Sequence, residues 1–313
     1  VKVYRNLEAI AGIRNPVVTT GSFDGVHLGH RAILKRIKRL AREIGGETVL
    51  ITFDPHPRKV LFPESASKNL KLITSQKEKI SLLEKTGLDI LIILPFTKAF
   101  SRMSSADFVK NILVNRIRVK IVVIGFNHHF GHNREGNVDY LYQMGDKFGF
   151  RVEQIPEQEL HHETISSTKI RKALSEGNIQ QANAYLGYRY HIKGILRNIN
   201  IANDDNGNNW YQIEIEEACK LTPPNGLYVI STCFKGVQYK GLAEIVDQPD
   251  HVRVCLHHKQ VRVCFFGLKE NIHGQFMAVL FAGKLYDDQY IKSKSTRERA
   301  LKNAAESVKA LLF

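Results

Sequence analysis

Val17-Val18-Thr19-Thr20-Gly21-Ser22-Phe23-Asp24-Gly25-Val26-His27-Leu28-Gly29-His30 is the stretch whose reading decides the fold. Its first four residues are a short β-type run that ends in glycine. From about His30 to Ile44, Ile33, Ile37, Leu40 and Ala41 recur at helical spacing among lysines and arginines, and Gly45-Gly46 closes the helix. A strand that turns through glycines into a helix lets a ligand approach the backbone and offers free N–H groups to an anion. His27 and His30 lie three residues apart, so both can face one phosphate chain and hydrogen-bond its non-bridging oxygens as charge builds. Histidines at that spacing also bind metal or cap a helix; the glycines between them point to phosphate.

The same alternation continues outward. Thr48 to Phe53 is a second strand, and Ser75 with Glu78 forms a capping box for a helix that stops at Gly87. Asp89 to Leu94 is an apolar strand, Ser104 precedes a helix through Asn115, Lys120 to Ile124 is the next strand, and Phe150 to Ile155 the fifth. Apolar strands alternating with helices imply an α/β domain with a doubly wound, Rossmann-like parallel sheet, which binds ligands beyond the C-terminal ends of its strands. The alternation ends near Leu186-Gly187-Tyr188. From Lys193, short β-like stretches are separated by turn signals at Asp204–Gly207, Pro223–Gly226, Lys235-Gly236 and Gln248–Asp250, the pattern of an antiparallel barrel or sandwich. A last helix runs from Thr296 to about Leu311, with Ser295 and Glu298 as its capping box and Leu301, Ala304, Ala305, Val308 and Leu312 as its apolar face. The expected division is 1–186 and 187–313.

Three further segments carry chemistry. Ile165-Ser166-Ser167-Thr168-Lys169-Ile170-Arg171 sets three hydroxyls and two cations where a helix begins, which suits phosphate and is equally an ordinary N-cap. Gly125-Phe126-Asn127-His128-His129-Phe130-Gly131 follows the fourth strand at the ligand-binding end of the sheet. Its histidines, with His132, leave metal binding open, although nothing fixes a ligand geometry. Thr52-Phe53-Asp54-Pro55-His56-Pro57 places a rigid loop at the same rim.

With 313 residues, 43% hydrophobic and 24% charged, the chain supports two domains with real cores. It has no apolar run near the ~20 residues of a membrane helix, and its first residues have no signal-peptide core. The expectation is a cytoplasmic protein that does not enter a membrane. Its net charge of +14 is spread along the chain, which fits gathering small anionic substrates better than nucleic acid as the main partner. Cys219, Cys233, Cys255 and Cys264 form no C-x-x-C pair, so no zinc site is expected.

Together the four segments resemble the adenylyltransferase module of prokaryotic FAD synthetases, the bifunctional riboflavin kinase/FMN adenylyltransferase family, from about Val17 to Lys193. F-D-G-V-H-x-G-H, F-D-P-H-P, G-x-N-x-x-F-G and I-S-S-T-x-I-R occur in the family's order and spacing; H-x-G-H alone indicates only the wider nucleotidyltransferase superfamily. The resemblance implies that His27, His30, Asn127 and Arg171 act at the reacting phosphate, and that Gly21, Phe23, Asp24, Gly29, Ser166, Ser167 and Thr168 hold ATP. It implies that Asp54, Pro55 and Phe62 face the flavin. It further implies that Mg2+ enters with ATP rather than at a site of the protein's own, and that FMN becomes FAD.

From Pro224 onward the chain resembles the family's riboflavin kinase barrel. Pro224-Asn225-Gly226-Leu227-Tyr228 matches P-x-G-V-Y, and Val237 to Ile245 and the closing helix also match. The kinase chemistry does not. The stretch Gly194 to Asn203 is too short for the family's glycine-rich turn and G-F-P-T-A-N, and in Asn200-Ile201-Ala202-Asn203 Ile201 has no hydroxyl. Val252-Arg253-Val254-Cys255 stands at the E-x-H strand, where Arg253 cannot accept a proton. The barrel is therefore expected to lack kinase activity; the alternatives are a bifunctional enzyme in which another glutamate serves, and another H-x-G-H nucleotidyltransferase.

Overall fold

The structure, a computed structural model, describes residues 1–10, 12–62, 70–125, 130–132, 135–155, 159–160, 163–199, 209–217, 219–248, 259–290 and 293–310. The chain forms two compact units, Val1–Leu70 with Gln76–Ser166 and Lys71–Ser75 with Ser167–Phe313.

The first unit is built on a six-stranded parallel sheet: β1 Lys2–Tyr4, β2 Val17–Thr20, β3 Thr48–Asp54, β4 Ile90–Pro95, β5 Ile121–Gly125 and β6 Arg151–Ile155. Their order is β1-β4-β3-β2-β5-β6. The chain winds outward from β2 through β3 and β4, then crosses back to place β5 on the other side of β2. This is the doubly wound sheet that the apolar runs imply. Helix α1, Leu28–Glu43, buries Leu34, Ile37, Leu40 and Ala41. The pleat carrying Val18, Val49, Ile51, Ile92, Val122 and Ile124 packs instead against Phe108, Val109, Ile112, Leu113 and Ile117. Side chains alternate across a strand, so a sheet covered on both faces needs apolar residues at nearly every position.

Four features depart from the sequence expectations. The strand expected as the fifth is the sixth, because β1 adds to the edge of β4. Three residues, two of them exposed, are too short a run for any periodicity. The helix after Ser104 begins as a short α-helix, Ser105–Asp107, and continues as a π-helix, Phe108–Ile117. A helix at Val138–Phe148 was not anticipated; the Asn137 side chain caps it by accepting from the Tyr140 N–H at 2.9 Å. Finally, α1 begins at Leu28 with His27 as its N-cap, so the first histidine belongs to the cap rather than to the turn before it.

In the second unit the segment after the short hairpin β7 Glu159–Leu160 and β8 Glu163–Thr164 continues into two helices, Ser167–Ser175 and Ile179–Leu186. Six antiparallel strands follow: β9 His191–Ile199, β10 Trp210–Glu214, β11 Gly226–Phe234, β12 Val237–Asp247, β13 Lys259–Phe265 and β14 Phe276–Asp287. They close into a barrel in the order β10-β13-β12-β11-β14-β9. The pairing of β9 with both β10 and β14 removes the free edges, which decides for a barrel against a sandwich. The closing helix, Lys294–Ala310, lays Ala304 and Ala305 against Trp210, Leu227, Leu242, Cys264 and Phe266. Its cap is Ser293, whose hydroxyl accepts from the Thr296 N–H at 3.2 Å, two residues before the expected Ser295. Val308 and Leu312 of its expected face lie outside the described side chains, as do Asp204–Gly207 and Pro249-Asp250 among the turns.

Lys71–Ser75 belongs to this unit although it lies early in the chain. The Leu72 N–H donates to the Cys219 carbonyl at 2.6 Å, and the Leu221 N–H donates to the Leu72 carbonyl at 2.8 Å. The buried Lys220 ammonium donates to the Ile73 carbonyl at 2.7 Å.

Candidate active site

β2 and β5 pair at the point where the winding of the sheet reverses. Loops leaving the C-terminal ends of two such strands diverge and open a crevice. The loop after β2 is the glycine-containing turn. Phe23 and Val26 hold φ of 48° and 38°, and Gly25 holds 87°. Left-handed backbone at a bulky and a β-branched residue costs on the order of 1–3 kcal/mol each, so such a turn persists only where its surroundings over-determine it. Here they do: Phe23, Asp24, Val26 and His27 are all buried.

The turn delivers two imidazoles to the opening of α1. The His27 Nδ1 accepts from the His30 N–H at 3.4 Å, a long N-cap contact. An accepting Nδ1 assigns the proton of the neutral ring to Nε2, leaving that nitrogen as a donor. His30 stacks on His27 with ring centroids 3.6 Å apart, and on Phe23 at 4.4 Å. Gly29 favours this arrangement, since a Cβ there would press on the His27 ring at 3.3 Å, and it would meet the Ile165 carbonyl at an ordinary 3.7 Å. Ile165, which leads into the hydroxyl-rich segment, thus lies against the first turn of α1. Gly21, Phe23, Asp24, His27, Gly29 and His30 thus lie in one largely buried turn leading into α1, in which Phe23, His27 and His30 are stacked.

A lysine that sequence reasoning missed lies beneath this turn. Lys79, on the helix Gln76–Glu84, is buried. Its Nζ donates to the Ser22 carbonyl at 3.0 Å and to the Thr52 hydroxyl at 3.4 Å. The Thr52 hydroxyl itself donates to the Ser22 carbonyl at 3.1 Å. Burial pushes the Lys79 ammonium below the ordinary lysine range, against the pull of the Asp24 and Asp54 carboxylates. The signal was present in the sequence: Lys79 sits on the same stripe as the buried Leu82 and Leu83.

Asp54 and Pro55 follow at the exposed end of β3. His56 caps the short helix Pro57–Leu61 by accepting from the Arg58 N–H at 3.2 Å, and Phe62 beyond it is 57% exposed, an apolar ring presented to solvent. Phe53 is tied to Phe130 through a run of rings, Phe53–Phe100–Phe108–Phe130, with centroid spacings of 5.8, 6.5 and 5.9 Å. The loops after β3 and β5 thus share an aromatic support that the motifs themselves do not reveal. Asn127, with Phe126, His128 and His129, lies outside the described residues.

Ser166 closes the first unit, while Ser167, Thr168 and Arg171 open the first helix of the second. Arg171 Nε donates to the Lys71 carbonyl at 2.9 Å, which orients its guanidinium. Among the described residues, no group of three or more His, Cys, Asp or Glu side chains is arranged to hold a metal ion. Likewise, no described helix is long and apolar enough to cross a membrane.

In the barrel, Asn200–Asn203 and Val252–Cys255, including Ile201 and Arg253, lie outside the described residues. A second V-R-V-C run, Val261-Arg262-Val263-Cys264, lies on β13. There Arg262 pairs across the strands with Glu244 of β12. Glu244 is fully buried and clamped by two guanidiniums: Arg262 at 3.3 Å, and Arg297, whose Nη2 donates at 3.0 Å and whose Nε also donates.

The comparisons with known proteins agree with this organisation. A solved structure described as a macrolide-efflux protein from Streptococcus pneumoniae shares the fold, with a TM-score of 0.85 over 98% of both chains and 23% identity. Bifunctional riboflavin kinase/FMN adenylyltransferases are similar in sequence. The one from Buchnera aphidicola subsp. Acyrthosiphon pisum is 32% identical over 94% of this chain and 93% of its own length. That of Listeria monocytogenes is 36% identical over 74% and 72%, and that of Bacillus subtilis 28% over 94% and 92%. The FAD synthetase family model matches residues 10–169, which span strands β2 to β6 of the parallel sheet, the histidine turn and the start of the hydroxyl-rich helix. The chain belongs to the FAD synthetase family.

Proposed function

We propose that the chain transfers the adenylyl group of ATP to FMN, forming FAD and pyrophosphate. The observation that carries this is the stacked His27–His30 pair on the first turn of α1, at the switch point of the sheet. A phosphate oxygen of FMN attacks the α-phosphorus of ATP. The bond from that phosphorus to the oxygen bridging the α- and β-phosphates breaks, and pyrophosphate leaves with the electron pair. Charge builds on the non-bridging oxygens, and donors held in place before the reaction stabilise it without reorganising. His27 Nε2–H, His30 and the N–H groups of Leu28 and Gly29 at the start of α1 are those donors. The family resemblance assigns the triphosphate to Asn127, Ser166, Ser167, Thr168 and Arg171 as well, while Gly21, Phe23, Asp24 and Gly29 shape the turn. Asp54, Pro55 and Phe62 face the flavin, Phe62 offering an exposed ring to stack on. Mg2+ arrives as part of the ATP substrate, as this hard cation is commonly bound through phosphates.

The functional division falls at 1–186 and 187–313, with nucleotidyl transfer in the first part and a riboflavin-kinase-like barrel without kinase activity in the second. The relatives' names favour a second reading, in which both activities persist. Against it stand Ile201 and Arg253 in the sequence and the clamping of Glu244. A base must offer an oxygen lone pair to the substrate hydroxyl, whereas both Glu244 oxygens already accept from guanidiniums. The substrates are small anions met in the cytoplasm.

The test incubates the protein with ATP, Mg2+ and FMN and resolves the products by chromatography. FAD and pyrophosphate in equal amounts are expected. Folded protein that yields no FAD above the enzyme-free control overturns the reading.

A further inference from the structure

We infer that Lys79 is a positioning residue for adenylyl transfer, its ammonium locking the strained histidine turn through the Ser22 carbonyl and the Thr52 hydroxyl. This rests on the adenylyltransferase reading.

A lysine on the inward stripe of a helix needs a reason. Burying an ammonium costs several kcal/mol, and an apolar residue of similar length would continue the Leu82–Leu83 stripe without that cost. What the ammonium gains is a closed polar triangle. Lys79 Nζ donates to both Ser22 O and Thr52 Oγ1, while Thr52 Oγ1 donates to Ser22 O, so two strand ends and a helix meet at one carbonyl. Asp24 and Asp54 are the carboxylates that favour the charged form.

The carbonyl held in this way belongs to the peptide that leads into Phe23. Holding the Ser22–Phe23 peptide plane constrains one side of the left-handed φ of Phe23, and the Phe23 ring is one of the two that stack on His30. Three covalent and packing steps therefore connect Lys79 to an imidazole assigned to the reacting phosphate, with no contact from Lys79 to the substrate. Misplacing a reacting group by 1 Å costs about a hundredfold in rate. Loosening the turn should therefore act on turnover more than on the binding of substrates, which have other contacts.

The experiment compares wild type with Lys79→Met, which keeps the length of the side chain and removes its charge and donors. Steady-state FAD formation is measured over FMN and ATP, together with thermal melting. The expected result is a kcat at least about tenfold lower, KM for both substrates within about threefold, and a melting midpoint within about 3 °C of wild type. The kcat is normalised to the folded fraction, because loss of folded protein alone would lower the apparent kcat at unchanged KM; a smaller loss of the normalised kcat, or a loss carried by KM, overturns the inference. If Lys79→Met does not fold, Thr52→Val removes the shared hydroxyl at nearly constant shape. A kcat loss above about threefold at unchanged KM then supports the inference, and any smaller loss overturns it. Failure of the wild type to make FAD speaks to the enzymatic reading, whereas a normal wild type beside an unaffected variant speaks to Lys79 alone.

Discussion

His27 and His30 lie face to face, their ring centroids 3.6 Å apart and their planes inclined by 21°. The pair exists because three independent conditions meet: a left-handed turn at Phe23, a residue without Cβ at Gly29, and a helix that starts at Leu28. His30→Ala should lower kcat by roughly two to three decades, the usual cost of losing one transition-state donor. FMN affinity, read by quenching of flavin fluorescence, should change by less than about threefold. A variant within about twofold of the wild-type rate would contradict the role assigned to His30.

Riboflavin should not be phosphorylated. By the family resemblance, Ile201 stands where the nucleotide loop needs a hydroxyl and Arg253 where the E-x-H strand carries its glutamate, and neither side chain can serve. A general base contributes about two to four decades of rate. Arg253→Glu alone should therefore stay inactive, since the loop is still short. Incubation with riboflavin and ATP checks this: FMN or FAD appearing as fast as FAD forms from FMN would show that the barrel is a working kinase.

Glu244 should prove structural. With its two partly exposed arginines the buried carboxylate forms an ion triad between β12, β13 and the closing helix. Glu244→Leu leaves two guanidiniums facing an apolar side chain; breaking a fully buried pair costs about 3–5 kcal/mol, and the partial exposure of both arginines sets the expected loss below that. Denaturant unfolding followed by the fluorescence of Trp210, the chain's single tryptophan and a barrel residue, reads that loss directly. FAD formation from FMN by the folded fraction should be unchanged; a parallel loss of adenylyl transfer would refute the separation of the two roles.

The first unit should weaken in acid partly through Glu153. Burial alone would raise its carboxyl, but hydrogen bonds from Arg36 and Arg151 outweigh that and hold it below the usual carboxylate range. A depressed carboxyl contributes stability that is present above the unfolded value of about 4.3 and is lost as pH falls through the folded value. Melting measured from pH 7 down to about pH 3 should fall more gently in Glu153→Gln than in wild type. Coincident profiles would show that the pair contributes nothing.

The sequence by itself determined the class of the first unit and the place of its chemistry. Parallel strands buried on both faces must read as continuous apolar runs, as Ile90–Pro95 does, and a phosphate turn must carry its glycines and histidines at fixed offsets, as Gly25–His30 does. Turn residues likewise announced an antiparallel second half, because local backbone geometry is written locally. Only the tertiary structure decided what depends on partners far apart in the chain. It closed the barrel by pairing β9 with β14, joined Lys71–Ser75 to Cys219–Leu221, put Lys79 under Ser22 and set Glu244 between Arg262 and Arg297. Periodicity reports which face of an element is buried but carries no information about what lies opposite. A buried lysine or glutamate therefore looks like a flaw in the pattern until the fold supplies the groups that satisfy it.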